Sequence, residues 1–134
     1  RDHVTDMEFA RENNINYVHL DELLKESDIV TLHLPLDNDT KGFFDRNLFL
    51  QMKDQAIFIN TSRGKLVDED GLYDVLSAGK ISHACLDVYN NEPYTGKLNE
   101  LDNVTLTCHI GSYAKEARIK MEEQAVENLL KGLG

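Results

Sequence analysis

Ile57-Phe58-Ile59-Asn60-Thr61-Ser62-Arg63-Gly64-Lys65-Leu66-Val67-Asp68 is the stretch whose reading decides the fold. Ala56 to Ile59 is a short apolar run with two isoleucines and a phenylalanine, which suits a central strand. Gly64 is expected to let the following loop turn sharply. Asp68 is a good helix N-cap, and Glu69 and Asp70 favour the positive end of the helix that follows. Leu72, Val75 and Leu76 give that helix its buried face, and Gly79 stops it. The unit is strand, loop, helix, with Arg63 at the carboxyl end of the strand, where open α/β sheets bind ligands.

Outward from this unit the same alternation repeats. Towards the N-terminus lie a helix from about Thr5 with Phe9 and Ala10 facing inward, a short strand at Tyr17 and Val18, and a brief helix capped by Asp21. A strand follows over residues 29–34, with Pro35 ending its ladder. A helix capped by Asp45 then carries Leu48, Phe49 and Met52 on one side. Towards the C-terminus lie a strand over residues 83–88, a long loop with Pro93 and Gly96, a strand over 104–107 and one long helix over 112–133. Helix and strand alternate throughout, which predicts a parallel sheet covered on both faces, the three-layer α/β class.

The bulk numbers set limits. The chain has 134 residues, enough for one domain with a real core, and its 41% hydrophobic content is ordinary for a globular chain. A net charge of -10 argues against nonspecific nucleic-acid binding, and makes any anionic ligand depend on local cations such as Arg63. No stretch is long enough to span a bilayer, and no membrane partner is expected. Cys85 and Cys108 are too few for a metal site or a disulfide framework, so two reduced thiols in a cytoplasmic protein, with no metal, are expected.

In a parallel sheet four strand ends face one side. They present His33-Leu34-Pro35-Leu36, Thr61-Ser62-Arg63-Gly64, Asp87 through Glu92-Pro93, and Cys108-His109-Ile110-Gly111. An arginine, a carboxylate and a histidine converge on one rim, a set suited to proton and hydride chemistry at a carbon bearing oxygen. Arg63 can grip a carboxylate through two parallel hydrogen bonds. His109 can take or give a hydroxyl proton near neutral pH, with Glu92 holding one ring nitrogen. Each also has a plainer explanation: Arg63 as a surface turn residue, His109 as a structural histidine, Glu92 as loop polarity.

The ordered run Asp21-Glu22-Leu23-Leu24, Ser27 through Leu36, Asn60-Thr61-Ser62-Arg63-Gly64, Leu66-Val67-Asp68, Leu86-Asp87-Val88-Tyr89, Glu92-Pro93 and His109-Ile110-Gly111-Ser112 resembles the D-isomer-specific 2-hydroxyacid dehydrogenases, closest to the phosphoglycerate dehydrogenase-like branch. The resemblance implies that Arg63 orients the substrate and that Glu92 and His109 form the acid–base pair. It implies that Asp87 holds the nicotinamide carboxamide, that Thr61, Ser62 and Arg63 lie along the cofactor, and that Gly111 belongs to the same cofactor-binding set. His33 and Pro35 fall where the family wraps the adenosine, and Asp2 where a carboxylate binds the adenine ribose. The implied cofactor is NAD, with NADP left open because Arg1 stands beside Asp2. The implied partner is a small 2-hydroxy or 2-oxo acid, 3-phosphoglycerate among them.

The sequence departs from the family in two respects. The strand and Gly-x-Gly-x-x-Gly turn that open such a domain are absent, and Gly132-Leu133-Gly134 at the end can start no helix. Cys108 also stands where the family commonly has proline. The chain is therefore expected to be the second half of an NAD-binding domain, a partial Rossmann-like unit lacking its first two strands and the substrate domain. Alone it is expected to be inactive and to bind NAD weakly or not at all. The strand over 29–34 should then have an exposed edge, inviting a homo-oligomer or a cover from Tyr17-Val18. The alternatives to an oxidoreductase fragment are a noncatalytic dinucleotide-sensing module and an excised structural half-domain.

Overall fold

The computed structural model describes residues 5–133. The elements in chain order are α1 (Met7–Glu12), α2 (Leu20–Glu26), β1 (Ile29–Leu32), α3 (Arg46–Gln51), β2 (Ile57–Asn60), α4 (Glu69–Ser77), β3 (His83–Leu86), β4 (Val104–Leu106) and α5 (Lys115–Leu133), with 3₁₀ turns at Gly64–Leu66 and Lys97–Glu100. The strands form one parallel sheet in the order β1-β2-β3-β4. Every strand therefore ends on the same rim, as the alternation predicts. β1, β3 and β4 end one or two residues earlier than the sequence suggests, whereas β2 reaches Asn60.

Local chemistry accounts for the helix ends. The Asp45 and Asp68 carboxylates accept the backbone N–H groups of Leu48 at 2.9 Å and Gly71 at 3.1 Å, capping α3 and α4. At the far end of α4, Gly79 sits at a φ of 70°, with its N–H on the Leu76 carbonyl and the Lys80 N–H on the Val75 carbonyl. This left-handed closure satisfies two orphan carbonyls and favours glycine. Asp21 does not cap α2: His19 is the N-cap, and Asp21 sits within the first turn.

The core lies on one face of the sheet. Val30 and Leu32 of β1, Phe58 of β2, and Ala84 and Leu86 of β3 pack with Leu24 of α2, Phe49 of α3, and Leu72, Val75 and Leu76 of α4. Phe44, Phe49 and Phe58 form a ring cluster with centroids 4.7 to 4.9 Å apart, a spacing at which tilted aromatic pairs attract. The opposite face is uncovered among the described residues. Thr31 and Thr105 are exposed there, Ile57, Ile59, His83 and Cys85 are partly exposed, and Ile29 is 55% exposed. The expectation of helices on both faces is thus met on one face only. Nor does α5 supply the second layer, because none of its residues is buried.

Two N-terminal expectations fail for the same reason, too few neighbours. Ala10 is buried, but Phe9 is 54% exposed. Tyr17 and Val18 form no strand, and among the described residues β1 pairs only with β2, leaving its outer edge open. Val18 instead lines a cavity beside that edge.

Candidate active site

The arginine loop is built by Asn60, the last residue of β2. Asn60 falls on the inward side of the strand and is buried, so its amide must find partners. Its Oδ1 accepts the Ser62 N–H at 3.1 Å and the Ser62 hydroxyl at 3.2 Å, and its Nδ2 donates to the Arg63 carbonyl at 3.0 Å. Thr61 and Arg63 are left exposed on the rim. One guanidinium nitrogen of Arg63 donates to the Ser62 carbonyl at 2.6 Å, which leaves its other N–H groups for a ligand.

Gly64 is glycine for a reason other than the sharp turn expected from the sequence. Its φ is not in the left-handed region, and a Cβ placed there would lie 1.9 Å from the Tyr89 carbonyl carbon. The backbone of the arginine loop therefore rests directly on the loop that leaves β3, and a side chain cannot fit between them.

The loop after β3 carries the carboxylate. Glu92 Oε1 accepts the Tyr89 N–H at 3.1 Å, closing a tight local ring. Its Oε2 lies 2.9 Å from His109 Nδ1, and Oε1 lies 3.1 Å from the same nitrogen. The hydrogen bond with His109, helped by the Tyr89 N–H, holds the Glu92 carboxyl below the usual glutamate range. His109 itself stands at a φ of 54°, a left-handed conformation rare outside glycine. Such strain persists only where surrounding bonds fix it.

Asp87 supplies those bonds. It is buried, with 6% of its surface exposed. Its Oδ1 accepts the Thr107 hydroxyl and, at 3.0 Å, the Ile110 N–H, and its Oδ2 accepts the Gly111 N–H at 2.8 Å. Burial pushes its carboxyl up, but these donors and the His109 ring outweigh burial and leave it below the usual carboxylate range. The carboxylate thus clamps both residues that follow His109. Neighbouring Tyr89 is buried with its hydroxyl 2.7 Å from the Thr107 carbonyl, and burial together with the Asp87 charge pushes that phenol up to about 12.

The structure brings Glu92 and His109 into contact and ties Asp87 and Gly111 to the same loop. It joins the Arg63 loop to them through the Gly64–Tyr89 contact. His33 and Pro35 lie apart, in a cavity of about 760 Å³ at the end of β1 that they share with Val18, His19, Leu34 and Phe43. His33 Nε2 is 3.2 Å from the Thr31 hydroxyl. Asp2 lies outside the described residues. Asn60, Thr107 and Tyr89 join the site without being singled out as site residues by the sequence. Only Asn60 carried a signal, as a polar residue at an inward strand position. Among the described residues no cluster has the makings of a metal site.

The cavity at the end of β1 is of a size that holds a small-molecule moiety. Its lining is mostly apolar and includes His19 and His33, and exposed Thr61 and Arg63 follow the end of the neighbouring strand β2.

Residues 2–111 match the D-isomer specific 2-hydroxyacid dehydrogenase NAD binding domain. The chain is 43% identical over 124 residues to a hydroxypyruvate reductase of Thermotoga maritima, covering 90% of this chain and 40% of that protein. It is 38% identical over 131 residues to a D-3-phosphoglycerate dehydrogenase of Archaeoglobus fulgidus, covering 94% and 25%. The solved structure of an acyclic imino acid reductase in complex with NADPH and D-Arg superposes with a TM-score of 0.84 at 39% identity, covering 89% of this chain and 38% of that one. The chain belongs to the D-isomer specific 2-hydroxyacid dehydrogenase family and has the α/β architecture of its NAD-binding domain. It spans less than half the length of these curated relatives.

Proposed function

We propose that this chain is the second half of the NAD-binding domain of a D-2-hydroxyacid dehydrogenase, a cytoplasmic enzyme that interconverts a D-2-hydroxy acid and its 2-oxo acid. The observation that carries this reading is the Glu92–His109 pair, with 2.9 Å between Oε2 and Nδ1. With Glu92 on Nδ1, the other ring nitrogen, Nε2, is left to exchange a proton with the substrate oxygen. Arg63 anchors the substrate carboxylate and polarises the carbonyl beside it. Asp87 keeps the imidazole at its place on the rim by clamping the two residues after it. Thr61, Ser62, His33, Pro35 and Gly111 are the residues that would hold the dinucleotide, NAD or NADP. When bound, that cofactor supplies or accepts the hydride.

The substrates that similar proteins are named for make hydroxypyruvate and 3-phosphoglycerate the first acids to try. The open edge of β1 and the uncovered sheet face support a working form in which further protein covers them, within a homo-oligomer. The test is an assay of the full-length protein in both directions, 2-oxo acids such as hydroxypyruvate with NADH or NADPH and 2-hydroxy acids such as 3-phosphoglycerate with the oxidised cofactor. Turnover of at least one, abolished in H109A, is expected. Cofactor binding with no turnover of any acid would favour a noncatalytic dinucleotide-sensing module instead.

A further inference from the structure

The loop that carries Glu92 is held from two sides. One side is the His109 loop. The other is the start of α4, and nothing in the catalytic reading uses it. Glu69, in the first turn of α4, accepts the Asn90 N–H at 2.7 Å. The Asn90 side chain donates through Nδ2 to the Val67 carbonyl at 3.2 Å. Three residues before Val67, Gly64 rests on the Tyr89 backbone. The segment from Gly64 to Glu69 therefore grips Tyr89 and Asn90 at three points, and Tyr89 in turn donates its N–H to Glu92.

A glutamate in the first turn of a helix ordinarily serves the helix dipole from the surface. Glu69 instead is half-buried, and burial pushes its carboxyl up while the bonds from Asn90 hold it back. A carboxylate is costly to desolvate, and a 2.7 Å bond to a backbone N–H offsets part of that cost.

We infer that Glu69 and Asn90 are positioning residues that fix the spacing between Arg63 and the Glu92–His109 pair. This inference rests on the dehydrogenase reading above. A hydroxy acid must reach its carboxylate anchor and its proton-transfer group at once, and the two arise on different loops. Paired β2 and β3 set the two loops side by side, with the Asp87 N–H on the Asn60 carbonyl at 3.1 Å, and the start of α4 holds Asn90 beyond the end of the sheet. Misplacement of such groups by about 1 Å costs on the order of 100-fold in rate.

The test uses the full-length protein. Glu69→Ala is expected to lower kcat about 100-fold with KM changed far less, because the loss falls on proton transfer rather than on substrate anchoring. Glu69→Gln restores most of the rate, since its amide oxygen still accepts the Asn90 N–H. In Glu69→Ala the Glu92 carboxyl, followed by carbon-13 NMR, titrates closer to the ordinary glutamate range than in the wild type. Asn90→Ala keeps the backbone donor and loses the side chain's contacts with the Val67 carbonyl and Glu69. It gives a smaller change in the same direction, and serves if Glu69→Ala fails to fold. Wild-type kinetics in Glu69→Ala with an unmoved Glu92 titration overturn the inference, as does an equal loss in the alanine and glutamine variants. A wild-type protein inactive on every acid tested fails the dehydrogenase reading instead, and the Glu92 titration then decides by itself whether Glu69 and Asn90 position Glu92.

Discussion

Glu92 and His109 lie 17 positions apart in sequence, yet Oε2 of the one is 2.9 Å from Nδ1 of the other. Neither is buried: their side chains are 38% and 48% exposed. A pair this exposed is held by its loops rather than by packing, so the loop anchors decide whether the contact exists. Two such anchors are the Gly64–Tyr89 backbone contact and the Asp87 carboxylate.

Gly64→Ala places a methyl group on the Tyr89 backbone, 1.9 Å from its carbonyl carbon. Backbone cannot rotate away as a side chain can, so one loop must move. Overpacking of this kind costs about 1–3 kcal/mol, sometimes more. Urea denaturation is expected to show that loss. The change should also loosen the Tyr89 N–H, visible as faster amide exchange. Unchanged stability and exchange would mean that the two loops are not in contact.

Asp87→Asn keeps the shape but can no longer accept at both oxygens. At least one of the Thr107, Ile110 and Gly111 donors loses its partner. The expected cost is about 1–3 kcal/mol, read from a denaturation midpoint. His109 should relax from its φ of 54°, reported by the scalar coupling of its amide.

Glu92→Gln tests a pH dependence. The folded protein holds the Glu92 carboxyl below its ordinary range, chiefly through the hydrogen bond with His109. A depressed folded-state pKa stabilises the fold above the unfolded value, about 4.3, and that stabilisation is lost as pH falls through the folded value. Wild type and variant should therefore differ in stability at neutral pH and converge in acid. Parallel curves down to low pH would contradict this.

The isolated chain is expected to bind NAD weakly or not at all. Its sequence holds no glycine-rich turn opening a helix, the feature that gathers backbone N–H groups around a pyrophosphate. Titration calorimetry of the chain alone should show no tight binding. A tight, saturable isotherm would mean that the adenosine-side cavity suffices.

What the sequence determined by itself was what depends on near neighbours. Asp45 and Asp68 cap helices through bonds to residues three positions on, and Gly79 closes α4 on the carbonyls of Leu76 and Val75. Alternating runs such as Ile57-Phe58-Ile59 marked the strands, and parallel strands by their nature end on one rim. The positions of Arg63, Glu92 and His109 on that rim were legible in this way. Only the tertiary structure decided what required a distant surface. Gly64 is small because of Tyr89, Asp87 is charged and buried because of Thr107, Ile110 and Gly111, and Glu69 faces Asn90 rather than water. Those contacts span 20 or more positions, and no local period announces them. The bare face of the sheet and the unburied α5 have the same origin, because a periodic apolar pattern says that a surface wants a neighbour and not which neighbour it has.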